Sequence, residues 1–223
     1  THMAMSSIRV MATCALLGEA VGKAAAVAVR NGIAPHEVYL EHMKQVQTLL
    51  LNEDCFLPSR TRQISEVCRH ASLFGADDTI RNGQDRAHEI YHTQGSEAAC
   101  QIPAGEEIRY RFPETLLSCV HLVFDSDLNR NTLPVSECER YHSMRACQRL
   151  DSPQLCMPKT LCREFLLLGE RGGKREELLH VTDNRKRCWH LNLNKAFDGL
   201  VLIPISGWGE SSRIPVISFD FEG

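Results

Sequence analysis

Ile108-Arg109-Tyr110-Arg111-Phe112 and Cys119-Val120-His121-Leu122-Val123-Phe124 decide the fold, because in both an apolar set recurs at every second residue. A period of two belongs to a half-buried β-strand, whose successive side chains point to opposite faces. Trp189-His190-Leu191-Asn192-Leu193 repeats the pattern. Shorter apolar runs follow at Phe165–Leu168, Leu178–Val181, Leu200–Ile205 and Ile214–Phe221, with Pro103-Ala104-Gly105, Gly172-Gly173 and Asp198-Gly199 as turn signals between strands. Many short strands punctuated in this way predict a mainly β fold, a β-sandwich. The connection from Asn131 to Lys159 is long for a sandwich loop, and insertions of that kind are functional or mobile.

Toward the N-terminus the period becomes helical. Arg9-Val10-Met11-Ala12-Thr13-Cys14-Ala15-Leu16-Leu17-Gly18-Glu19-Ala20-Val21-Gly22-Lys23-Ala24-Ala25-Ala26 reads as a buried helix of small residues, running from about Val10 to Arg30. Each interior glycine costs about 1 kcal/mol relative to alanine. Gly18 and Gly22, one turn apart, therefore imply close approach by another backbone or a flat ligand. Asn31-Gly32 stops the helix. A second helix starts at Pro35, buries the stripe Tyr39, Met43, Val46 and Leu50, and ends near Asn52. Residues 59–68 are polar and read as a linker. The expected organisation is a helical hairpin over residues 1–58, the tail of a larger domain, and a sandwich over residues 59–223. Thr1-His2-Met3-Ala4 reads as an added leader outside the fold.

A net charge of −3 gives no reason to expect nucleic acid as a partner, and Arg185-Lys186-Arg187 reads as a solvated face. Within residues 10–29 the charges are Glu19 and Lys23, and the abundance of alanine and glycine fits a buried soluble helix better than a membrane span. The ten cysteines show no C-x-x-C spacing, and most stand beside apolar residues. They read as buried thiols in a reducing compartment, the cytoplasm.

The Arg9–Ala26 stretch resembles the C-terminal flavin-domain helix of bacterial FAD-dependent oxidoreductases. The resemblance continues through Arg30–Val38 and Asn52–Pro58, and returns at Leu122–Arg130, Trp208-Gly209 and Phe219-Asp220. It implies that Ala12, Thr13 and Cys14 contact the flavin through backbone N–H groups at a helix N-terminus, with Gly18 allowing close approach. No G-x-G-x-x-G is present, so the dinucleotide fingerprint of such enzymes is missing. The resemblance also implies that in the intact parent FAD takes a hydride from a donor substrate. This chain alone is expected to hold no FAD and to be inactive. Its expected partner is the missing N-terminal flavin domain, or a second copy packed through the Gly18/Gly22 face.

The order of the β motifs resembles galactose-binding-like, discoidin-type jelly rolls, in which Asn82-Gly83 would occupy the early tight turn. This implies an accessory or substrate-recognition module within the oxidoreductase, or else an independent carbohydrate-binding module. His88, Tyr91 and Trp208 are the candidate ligand-binding residues. Trp208, between Gly207 and Gly209, reads either as a core plug or as a sugar-stacking ring. His88-Glu89-Ile90-Tyr91-His92 matches H-E-x-x-H, but no amphipathic helix carries it and Ala98 stands at the third metzincin ligand position. It reads as a His-rich surface loop, and no metal site is expected. Asp125, Asp127 and Asn129 open like a calcium loop without the glycine and glutamate that complete one, so a strand end with side-chain–backbone bonds is expected.

Overall fold

The computed structural model describes residues 10–86, 99–127 and 157–223. The chain divides into two units, Thr1–Arg62 and Gln63–Gly223.

In the first unit, α1 spans Met11–Asn31 and ends where Gly32 takes φ 64°, with the Ile33 N–H closing on the Ala28 carbonyl at 3.1 Å. The second helix of the hairpin is two helices: α2, Pro35–Glu41, and α3, Met43–Asn52. They are interrupted at His42, whose backbone (φ −119°, ψ 9°) leaves the helical region. Glu37 accepts from the Ala34 N–H at 2.8 Å and caps α2. The core is small: Val27, Ala28, Val38, Val46 and Leu50, with Ala20, Ala24 and Ile33 packed against it. Of the expected stripe, Val46 and Leu50 are buried, whereas Tyr39 is 66% exposed.

Helix α1 is not buried along its length. Val27 and Ala28 are its buried residues, and Leu16, Leu17, Val21 and Val29 are all more than half exposed. A Cβ added at Gly18 or Gly22 would meet nothing within 4 Å among the described residues. By length and composition α1 could cross a membrane. Its Lys23 nevertheless pairs with Glu53 of the same unit.

The second unit begins before the expected linker has ended. Ile64 and Cys68 lie in its core, and α4 (Glu66–His70) is capped by Ser65, whose hydroxyl also donates to the Phe221 carbonyl at 2.6 Å. The strands are β1 (Ser72–Phe74), β2 (Cys100–Pro103), β3 (Ile108–Phe124), β4 (Cys162–Arg171), β5 (Lys174–Val181), β6 (Cys188–Gly207) and β7 (Arg213–Glu222). They pair antiparallel in the order β2-β7-β3-β6-β4-β5, with β1 beside β3.

Two long strands make this array a sandwich. Ile108–Phe112 and Cys119–Phe124 are halves of β3, joined through register shifts between Arg111 and Thr115 and between Leu117 and Cys119. Trp189–Leu193 and Leu200–Ile205 are likewise halves of β6. The first half of β3 pairs with the second half of β6, which continues into β4. The second half of β3 pairs with the first half of β6 and with β7. Side chains from the two layers meet between them. Tyr110 lies edge-on to Phe219 and Phe221, at 5.1 and 5.2 Å, and Phe165 to Trp189 at 5.6 Å. The Tyr110 hydroxyl donates to the Phe219 carbonyl at 2.7 Å, so this buried phenol is satisfied.

Gly172-Gly173 does turn β4 into β5, whereas Asp198-Gly199 is no turn and lies inside β6. A side chain at Gly199 would come within 2.9 Å of the Tyr110 carbonyl and of buried Glu170. Glycine is there so that Glu170 can reach Arg109 at 2.8 Å and Arg175 at 2.9 Å.

The seven described cysteines are thiols. Burial pushes Cys68, Cys119 and Cys162 up to about 12 from the ordinary 9.0. In the native protein at pH 8, iodoacetamide should modify exposed Cys14 and spare these three, as read by peptide mass spectrometry. A raised thiol pKa means the folded state keeps a proton that the unfolded state gives up. The stabilisation is therefore complete below about pH 9 and is lost as the pH rises toward about 12. Alkylation of Cys68 and Cys162 at the rate of Cys14 would refute the assignment.

Candidate functional site

A polar hollow of about 520 Å³ lies beside the turn between β1 and β2. Asp77, Thr79, Asn82 and Gln84 come from one stretch, and Gln101 and Arg213 from two paired strands. Its first wall is the 3-10 turn Asp78–Arg81, anchored by fully buried Ile80. Arg81 locks that turn. One terminal nitrogen donates to the Cys68 and Ala71 carbonyls at 2.6 and 2.7 Å, and Nε donates to Asp78 at 2.9 Å. Asn82 accepts from the Gln84 N–H at 2.7 Å, and Gly83 takes φ 77° to complete the turn. The second wall is the β2·β7 ladder, where Arg213 faces Pro103 and donates to the Gln101 carbonyl at 3.1 Å.

The hollow thus presents a carboxylate, three amides, a hydroxyl and a guanidinium. Such a set offers both donors and acceptors to a polyhydroxylated ligand, and the volume suits a small molecule. Asn82-Gly83 was legible as a turn. Gln101 and Arg213 carry no sequence signal, because strand pairing across more than a hundred residues brings them there.

A second polar cluster lies on the outer face of the layer formed by β7, β3 and β6. His121 faces His190 on one side and Asp220 on the other. Ser218 donates to Asp85 at 2.6 Å. The other Asp85 oxygen stands 3.7 Å from His121 Nε2, which is also 3.8 Å from Cys188 Sγ. The serine proton points at the carboxylate rather than at the imidazole, and the carboxylate approaches Nε2 rather than Nδ1. Neither the serine nor the thiol has the base-plus-orienter alignment of a hydrolytic triad.

Trp208 is half-buried and serves neither as a plain core plug nor as an open stacking ring. Its indole N–H donates to the Asn184 carbonyl at 2.7 Å, while Arg163 and Arg185 lie 5.0 and 5.9 Å from its ring centre. Asn184, which sequence reading passed over, is 1% exposed and ties together three segments. Its Nδ2 donates to the Cys162 carbonyl at 2.8 Å, and its Oδ1 accepts from the Lys186 N–H at 2.9 Å and from the Trp189 indole at 3.0 Å.

His88 and Tyr91, with the whole of the H-E-x-x-H stretch, lie outside the described residues. At the strand end that opens like a calcium loop, Asp125 accepts from the Asp127 N–H at 2.9 Å, a side-chain–backbone turn of the expected kind; Asn129 is not among the described residues. No group of three or more His, Cys, Asp or Glu side chains suited to a metal occurs among the described residues.

Ala12, Thr13, Cys14 and Gly18 share the first half of α1. Ala12, Cys14 and Gly18 are exposed and Thr13 is partly covered. Val10 precedes the helix with extended backbone and offers no side-chain cap, so Val10 itself does not compete for the first-turn N–H groups.

Residues 1–50 match the model of the family described as FAD dependent oxidoreductase. No curated protein matches the chain. Solved structures similar to it include a GH31 CBM32-2 module bound to GalNAc, with TM-score 0.44, 10% identity, and coverage of 69% of this chain and 99% of that one. The family 32 carbohydrate-binding module of C. perfringens NanJ in complex with galactose gives 0.42, 5%, 69% and 92%. That of Streptococcus pneumoniae EndoD gives 0.41, 9%, 70% and 98%. Over its first fifty residues the chain matches the FAD dependent oxidoreductase family, and from Gln63 onward it is an antiparallel β-sandwich.

Proposed function

We propose that this chain is the C-terminal part of a cytoplasmic FAD-dependent oxidoreductase, and that its sandwich recognises a carbohydrate for that enzyme. The observation that carries the first half is the family match over residues 1–50 together with the open face of α1. Gly18 and Gly22 cost the helix stability for a closeness that no described residue uses, which fits a face made for the rest of a flavin domain. The first turn of α1, with small exposed Ala12 and Cys14, fits backbone contact to the cofactor. FAD, when bound, supplies the hydride acceptor. Ala12, Thr13 and Cys14 would hold it through N–H groups at the positive end of the helix, and Gly18 would leave room for it.

The polar hollow supports the second half. Asp77, Asn82, Gln84, Gln101 and Arg213 can share donors and acceptors with adjacent sugar hydroxyls, and the rigid β2·β7 ladder holds two of them in place. The unaided binding module, without an oxidoreductase around it, is the second reading, and the same hollow favours it.

Two measurements test the proposal. The reading frame ahead of residue 7 should encode a G-x-G-x-x-G between a strand and a helix. On an array of neutral glycans the whole chain should bind a subset, and Arg213→Ala should weaken that binding by about tenfold or more, the cost of a charge-assisted hydrogen bond. A frame without the fingerprint would leave only the module reading. An array signal indifferent to Arg213 would remove the hollow from both.

A further inference from the structure

We propose that the surface formed by Arg163, Arg185 and Lys186 around Trp208 and Trp189 is a second ligand site, distinct from the polar hollow, and that it takes an anionic saccharide carrying carboxylate or sulfate groups. The inference rests on the carbohydrate reading of the sandwich and names a further ligand class for it.

Arg163 lies at the start of β4, and Arg185 and Lys186 lie on the connection from β5 to β6. All three are exposed. Each stands over an indole. Arg163 and Arg185 are 5.0 and 5.9 Å from the centre of Trp208, and the Lys186 ammonium is 4.9 Å from that of Trp189. Both indoles are fixed, because their N–H groups end on the same buried residue, Asn184, at 2.7 and 3.0 Å. The connection that carries the cations is fixed by the same asparagine. The Asn184 N–H donates to the Arg163 carbonyl at 2.8 Å, and Asn184 Oδ1 accepts from the Lys186 N–H. Three cations are therefore held by aromatic faces on a rigid frame.

Carboxylates close by neutralise the group only in part. Asp183 takes Arg185 at 3.1 Å, and Glu164 takes His180 at 3.1 Å. Arg163 and Lys186 form no salt bridge with a described carboxylate. A guanidinium stacked on a ring keeps its N–H edge free for bidentate contact with a carboxylate or sulfate. Since the rings of Trp208 and Trp189 serve the cations, the ligand is read by charge at their edges, and the tryptophans are positioning residues. The chain carries a net charge of −3, so a concentration of cations here does not follow from composition. Three cations match a few charges on an oligosaccharide. They fall short of the run of phosphate contacts from which nucleic-acid affinity is built.

The test uses the whole chain with four probes: an alginate hexamer, a heparin hexamer, a neutral dextran hexamer and a single-stranded DNA of matched charge, titrated at low and at physiological salt. The proposal expects saturable binding of alginate or heparin that weakens with salt. It expects a loss of about fivefold from Arg163→Ala and from Lys186→Ala, and loss of binding in Arg163→Glu/Lys186→Glu. Trp208→Phe should weaken the anionic probes, while Arg163→Lys retains part of the affinity. Far-UV circular dichroism should be unchanged in the surface variants. No binding of either anionic probe, equal binding of dextran, indifference to the double charge reversal, or tighter binding of the DNA would each overturn it. Arg213-dependent binding of neutral glycans is read separately, so failure of this site and failure of the carbohydrate reading are distinguishable.

Discussion

Gly169→Ala should destabilise the sandwich by about 3 kcal/mol or more, at the upper end of what overpacking costs a core. A Cβ at this position would lie within 2.8 Å of three atoms of the Phe197 ring. Phe197 is 1% exposed, so the ring has no solvent to retreat into. Gly169 sits on β4 opposite Leu200 of β6, and the glycine lets Phe197 lie flat over that ladder. The measurement is urea unfolding of the single variant and of Gly169→Ala/Phe197→Leu. The smaller side chain should cost stability alone, yet recover part of the loss in the pair, giving a coupling of about 1 kcal/mol or more. Should the single variant fail to accumulate, a folded double variant carries the same conclusion. Unfolding of Gly169→Ala within about 0.5 kcal/mol of wild type would show that the ring relaxes freely.

Asn184→Ala should cost about 3 kcal/mol and lower the midpoint of thermal unfolding by about 6–12 °C. The change deletes one donor and one acceptor that together serve the Cys162 carbonyl, the Lys186 N–H and the Trp189 indole. Buried polar groups left without partners account for the size of the effect. The same substitution loosens the connection carrying Arg185 and Lys186, so affinity for anionic oligosaccharides should fall even though no cation has been removed. Asn184→Ala with unchanged unfolding and unchanged anion binding would mean that the asparagine is not the fastening point of that edge.

These two residues mark where sequence reading stopped. Nothing local distinguishes Asn184, which lies in the polar run Asp183-Asn184-Arg185, or Gly169, which interrupts an apolar strand. Each acquires its role from partners brought in by pairing: Cys162, Trp189 and Trp208 for the asparagine, Phe197 for the glycine. Of the candidate site, the Asn82-Gly83 turn was visible beforehand, and the opposite wall of Gln101 and Arg213 was not.

The alternation at 108–112, 119–124 and 189–193 by itself determined that the chain is mainly β and which side chains enter the core. Period two is a property of the backbone and needs no knowledge of neighbours. Likewise Asn31-Gly32 was enough to end α1, because a left-handed cap is a local requirement. Tertiary structure alone decided that β3 and β6 each serve both layers and that Ile64 and Cys68 belong to the core. It also left the small-residue face of α1 open and drew three cations, from β4 and the connection between β5 and β6, around two indoles. Those outcomes depend on contacts between residues distant in sequence, whose free energy is realised only once the strands have paired.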